Sequence, residues 1–117
     1  MAAIIAGTIN FTDVYFGDLF DVTFEITGID LTAKTLRSQL RTAYDTEIVL
    51  EFKETDGSLT KTVNSTTSTT VQLLKTASLM EIPLGTYQHT IIMYTTDEDV
   101  QTIINGTMTI IPQITIL

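Results

Sequence analysis

The stretch Pro83-Leu84-Gly85-Thr86-Tyr87-Gln88-His89-Thr90-Ile91 decides the fold. Pro83 holds φ at about −65° and Gly85 tolerates positive φ, so the pair marks a turn. Beyond it the side chains alternate with a period of two. Tyr87, His89, Ile91 and Met93 share one face; Gln88, Thr90, Ile92 and Tyr94 share the other. This is a strand that offers one face to a core.

Outward from that strand the same pattern recurs. Leu19 to Thr27 places Phe20, Val22, Phe24 and Ile26 inward and Asp21, Thr23 and Glu25 outward. Thr35–Arg41 turns Leu36, Ser38 and Leu40 inward, and Glu47 to Lys53 does so with Ile48, Leu50 and Phe52. Ala3 to Phe11 is a predicted first strand with a bulge or kink at Gly7. Asp56-Gly57 predicts a hairpin leading to a short strand at Leu59–Val63. Asn64 to Thr70 reads as a loop, followed by a short strand from Val71. Lys75 to Met80 fits one helical turn, and a last strand runs from Val100 to Ile111, where Pro112 stops it.

Composition agrees. Thr, Ile and Val supply 45 of 117 residues, and β-branched side chains suit a pleated surface. Eight or so short strands with frequent turns predict two packed sheets in a single domain spanning residues 1–117. The formal net charge of −8 argues against binding a nucleic-acid backbone. No apolar run approaches the roughly 20 residues of a membrane span, and the start of the chain lacks a basic segment, so no signal peptide is expected. The absence of cysteine removes disulfides and thiolate chemistry.

Four segments, in order, carry a family resemblance: Gly17-Asp18-Leu19-Phe20, Ile29-Asp30-Leu31-Thr32-Ala33, Leu84-Gly85-Thr86-Tyr87 and Asn105-Gly106-Thr107-Met108. The chain resembles small immunoglobulin-like virion proteins of tailed bacteriophages, found in tails, baseplates, necks and head fibres. A Tyr two residues after a Gly at the start of a late strand also resembles the tyrosine corner of immunoglobulin-like sandwiches. The resemblance covers about Gly17 to Ile111 and departs at Ala33, where the family usually has Gly, and at His89, where it often has an aromatic. It implies an immunoglobulin-like two-sheet antiparallel β-sandwich. It also implies a non-enzymatic structural role in the virion, with assembly in the host cytoplasm. No catalytic residue, cofactor or metal belongs to the pattern. The implied partners are other virion proteins and copies of the chain itself, with neither nucleic acid nor membrane.

The candidate site is therefore an interface. Ile92, Tyr94, Ile103 and Ile111 have outward parity on the last two long strands, and Ile114, Ile116 and Leu117 extend them as an uncharged tail. Both apolar ends of the chain, Ala2-Ala3-Ile4-Ile5 and Ile114-Thr115-Ile116-Leu117, are suited to strand addition onto another chain. The alternative is a carbohydrate- or cell-surface-binding module. It needs an aromatic platform, for which Tyr15, Tyr44 and Tyr94 are the candidates.

Other chemistry is weaker. His89 is the only histidine, so it lacks the partners of a zinc site and reads as an inward residue with a satisfied ring nitrogen. Asp97-Glu98-Asp99 reads as a solvated turn rather than a Ca²⁺ loop. Asp18 and Asp21 lack the cleft of a glycosidase pair. Asn10, Asn64 and Asn105 open glycosylation-type triplets that a Thr-rich chain produces by chance. Asn105-Gly106 fits a type I′ turn or, as in the family pattern, an in-strand glycine at a close approach. Lys34, Arg37 and Arg41 read as a solvated face with local partners. A hairpin centred on Tyr44 pairs Arg41 with Glu47, Gln39 with Val49 and Arg37 with Glu51.

Overall fold

The computed structural model describes residues 7–42 and 47–112. Among the described residues nine strands appear in chain order: β1 Gly7–Thr8, β2 Phe11–Tyr15, β3 Phe20–Thr27, β4 Thr35–Arg41, β5 Ile48–Lys53, β6 Leu59–Asn64, β7 Ser68–Lys75, β8 Gly85–Tyr94 and β9 Gln101–Ile111. They form two sheets. The larger runs β1-β9-β8-β4-β5 with β2 also on β9, and the smaller runs β3-β7-β6. Short 3₁₀ turns at Glu54–Asp56 and Ala77–Met80 connect them, the second where one helical turn was expected.

The sheets face each other because both bury their apolar parity. Phe20 of β3 meets Phe52 of β5 at 5.6 Å between ring centroids, and Phe11 of β2 stands edge-on to Phe20 at 5.4 Å. Leu36, Leu40, Phe52, Ile91 and Met108 from one sheet and Val71 and Leu73 from the other are fully enclosed. Leu31, between β3 and β4, is equally buried. Each such side chain stabilises the fold by about 1.5–3 kcal/mol of burial. Of the side chains expected inward, Val22, Phe24 and Leu50 are only half-buried and Ile48 is exposed. Tyr87 is buried, and its hydroxyl donates to the Pro83 carbonyl at 2.6 Å. Gly85 adopts φ of 140° at the start of β8.

The larger sheet is mixed, which corrects the expectation of a wholly antiparallel sandwich. β1 and β2 run parallel to β9, with Gly7 beside Ile104 and Tyr15 beside Ile111. The predicted first strand is divided at Ile9-Asn10, not at Gly7, and continues to Tyr15. The division falls where Asn10 Oδ1 accepts from the Thr107 amide at 3.0 Å and the Ile9 amide donates to the Asn105 carbonyl at 3.0 Å. This crossing lies over Gly106, which sits within β9 as the in-strand reading requires.

Three local expectations change. The β4–β5 hairpin is slipped by two residues: Gln39 faces Glu51, Leu40 faces Leu50, Ser38 faces Phe52 and Arg37 faces Lys53. From Arg37 to Leu40 a two-residue slip keeps each side chain on its face, so burial does not oppose it. A bulge after Leu40 sets Arg41 opposite Ile48, which is exposed instead of inward. The charge pairing survives diagonally, with Arg37 Nη1 3.7 Å from Glu51 Oε2. Tyr44, the proposed turn centre, lies outside the described residues. Second, the Thr- and Ser-rich stretch is a tight hairpin rather than a loop. β6 reaches Asn64 and β7 starts at Ser68, with the Ser65 hydroxyl donating to the Ser68 carbonyl at 3.1 Å. Third, Ile103 is fully buried. The β8–β9 register shifts between Ile91, opposite Ile104, and Ile92, opposite Thr102. The extra residue is Ile103, and this bulge turns it and Ile104 together into the core.

Candidate interaction surfaces

The outer face of the larger sheet joins two candidate residues. Arg37 on β4 lies directly across from Ile92 on β8. Its guanidinium carbon sits 5.6 Å from the centre of the Tyr94 ring, a cation–π distance. Glu51 accepts from Gln39 Nε2 at 2.9 Å and lies within 4.0 Å of Lys53 Nζ. Arg41 donates to Gln39 Oε1 at 3.1 Å. The arginines are held by this polar network on their own sheet. A shallow depression of about 350 Å³ lies beside it, lined by Gln39, Gln88, Thr90, Ile92, Val100 and Thr102.

The remaining candidates separate. Ile111 is half-buried opposite Tyr15, at the far end of the β8–β9 pair from Tyr94. Ile103 leaves the set because it is core. Ile114, Ile116, Leu117 and the segment Ala2-Ala3-Ile4-Ile5 lie outside the described residues. Tyr15 and Tyr94 are at opposite ends of the sheet, so among the described residues they share no aromatic platform.

A larger opening was not foreseen. A cleft of about 760 Å³ lies where β3 ends and β9 begins. Ile9, Ile26, Ile29, Met93, Ile103 and Ile104 line it, with Glu25, Asp30 and Lys34 among its polar residues. Lys34 Nζ is held by Asp99 Oδ2 at 3.0 Å and by Thr95 Oγ1 at 3.1 Å. The lining comes from separate stretches of chain, and its residues read individually as core. Its only sequence signal was the β-branched pair Ile103-Ile104, which violates alternation.

The titratable groups have structural work. His89 is fully buried, with Nε2 2.6 Å from Ser38 Oγ and its ring 5.2 Å from that of Phe11. Burial lowers its pKa to about 4, so the ring is neutral at pH 7. Its Nδ1 has no partner among the described residues, where only one ring nitrogen is satisfied. In the acidic turn, Asp99 Oδ1 accepts from the Thr95 and Thr96 amides at 2.7 and 2.8 Å. The backbone bond from Thr96, then that from Thr95, then Lys34 hold the Asp99 carboxyl well below its usual range. Among the described residues no group of three or more His, Cys, Asp or Glu side chains converges on a metal-sized site.

No known family model matches the chain, and no curated protein is similar to it in sequence.

Proposed function

We propose that this chain is an immunoglobulin-like, non-enzymatic structural protein of a tailed-phage virion. It acts by protein–protein contact in the tail, baseplate, neck or head-fibre attachment. The observation that carries the reading is the order and placement of the four resemblance segments, each of which has a structural task. Gly17, at φ of 72°, turns the chain into β3. Asp30 accepts from the Thr32 amide at 3.0 Å and so shapes the passage that buries Leu31. Gly85 and Tyr87 form the corner on Pro83. Gly106 admits the crossing of Ile9. These residues shape a scaffold.

Two features support the immunoglobulin-like assignment. The first strands pair with the last in parallel, and the Tyr87 hydroxyl returns to the backbone four residues upstream. The Arg37–Tyr94–Ile92 surface and the apolar cleft supply contact area. The test is mass spectrometry of particles purified from the strain that encodes the chain. Its peptides should be present at a fixed stoichiometry to the major capsid protein. Particles that lack it overturn the reading.

A further inference from the structure

We propose that β1 and β2 form an acid-released latch: a proton on the buried His89 imidazole shifts them toward a form detached from β9, while the rest of the two sheets stays paired.

His89 is fully buried, and the groups around its ring are uncharged. Within its own sheet it faces Leu40 of β4 on one side and Gly106 of β9 on the other. Its Nε2 lies 2.6 Å from Ser38 Oγ, and its Nδ1 has no partner among the described residues. The neutral ring carries one N–H donor, whereas the imidazolium carries two and a charge. Ser38 Oγ can accept from one of them. The other finds no acceptor, and a charge buried without full hydrogen bonding is strongly disfavoured. The protonated ring therefore favours any state that admits water to it.

Charged groups on the elements packed around the ring turn elsewhere. Arg37 and Arg41 lie on the outer face of β4, Asp13 of β2 is exposed, and β9 carries no ionisable side chain. Tyr15 stands at the far end of β2 beside Ile111, and Tyr87, inward on β8, gives its hydroxyl to Pro83. On the facing sheet Asp21 and Glu25 are exposed, Lys61 is held by the Lys34 carbonyl and Glu54, and Lys75 lies over Phe52. Burial alone lowers the His89 pKa.

Of the elements around the ring, β2 is held least. β8 is paired along its length on both sides, from Thr35–Tyr94 to Arg41–Gln88 and from Gly85–Ile110 to Met93–Gln101. β2 meets the ring through Phe11, at 5.2 Å between centroids. Its register on β9 breaks between Phe11 and Val14, and no side chain along it is fully buried. Both residues of β1 are exposed. Between them the Ile9-Asn10 backbone passes over Gly106, the direct neighbour of His89. Lifting that passage uncovers the ring and breaks the Ile9–Asn105 and Asn10–Thr107 bonds. Gly17, at φ of 72° and tied to the Met80 carbonyl, marks where the movement stops. The Asn105 carbonyl and Thr107 amide are then free to pair with another strand.

The sign follows from proton linkage. The exposed ring has the ordinary pKa of 6.5, against about 4 in the closed form. The open form binds the proton first, so opening increases as pH falls and levels off below about 4. Between pH 7.5 and 5 the opening constant rises about 30-fold.

Amide hydrogen exchange of the full chain tests this, followed by NMR at pH 7.5 and 5 in low urea and corrected for intrinsic rates. The Ile9 and Thr107 amides should exchange through an opening far less sensitive to urea than global unfolding, and that opening should increase about 30-fold between the two pH values. Amides of the β3–β7 ladder should exchange with the full urea sensitivity of unfolding. His89→Leu should abolish the acid response of Ile9 and Thr107; His89→Gln replaces it if the first variant fails to fold by circular dichroism. The proposal is overturned if Ile9 and Thr107 exchange only with global unfolding, if the β3–β7 amides open along with them at low urea sensitivity, if the opening is the same at both pH values, or if a folded variant keeps the acid response.

Discussion

A Cβ added to Gly106 would lie 1.9 Å from the backbone oxygen of Ile9. No rotamer change relieves that overlap, because both sides are backbone. Gly106→Ala should therefore force β9 and the Ile9-Asn10 crossing apart, at a cost of about 3 kcal/mol. Gly7→Ala is the control: among the described residues its Cβ would meet the Ile104 Cδ1 at 3.1 Å, the end of a side chain that can shift. Urea unfolding of both variants should show a large loss for the first and a small one for the second. Equal losses contradict the account.

Tyr87→Phe removes the hydroxyl that donates to Pro83 and keeps the ring in the core. The expected loss is about 1 kcal/mol, typical of one intramolecular hydrogen bond. Wild-type stability in the variant, by thermal or urea unfolding, is the adverse result.

His89 makes stability pH-dependent in a defined window. Its folded value of about 4 lies below the ordinary 6.5, so the unfolded chain binds the proton first as pH falls. Stability is full above about pH 6.5, declines between 6.5 and 4, and levels off below that as the folded state also protonates. The total loss is about 3 kcal/mol. The depressed carboxylates of Asp30, Asp56 and Asp99 act at still lower pH. Urea unfolding across pH 7.5 to 4 should show this slope, and His89→Leu should flatten it. An unchanged slope in the variant refutes the assignment.

Among the described residues Ser38 is the one hydrogen-bonding partner of the buried imidazole. Ser38→Ala should cost about 2 kcal/mol, because it strands a second polar atom in the core. Adding His89→Leu removes both polar partners and should recover part of that loss. A double variant whose loss is the simple sum of the two single losses means that the pair is not coupled.

Most of the strand assignment was legible because parity is a local signal: Leu36, Leu40, Phe52, Tyr87 and Ile91 are buried as their spacing requires. What the pattern could not carry was any choice that leaves parity intact. The β4–β5 slip of two residues exchanges one set of face-matched pairs for another, and its charges serve nearly as well in either register. Ile103 failed for the opposite reason. A bulge breaks parity at one point, and only the neighbouring strand reveals where. The cleft was invisible because its lining is drawn from segments far apart in sequence.

The parallel pairing of β1 and β2 with β9 also decides how the molecule bears tension. A pull applied at Gly7 and Pro112 draws neighbouring strands past each other along their length. From the Gly7–Ile104 pair to the Tyr15–Ile111 pair, the cross-links are loaded in shear and share the force instead of opening one by one. The Asn10–Thr107 bonds and the lock of Ile9 over Gly106 lie in the middle of that path. A subunit linked at both ends into a larger structure thus transmits load through a clasp made by its own first and last strands. Single-molecule stretching between positions 7 and 112 should register a higher rupture force than stretching across the β3–β7 pair, where Thr27 and Ser68 part like the ends of a zip.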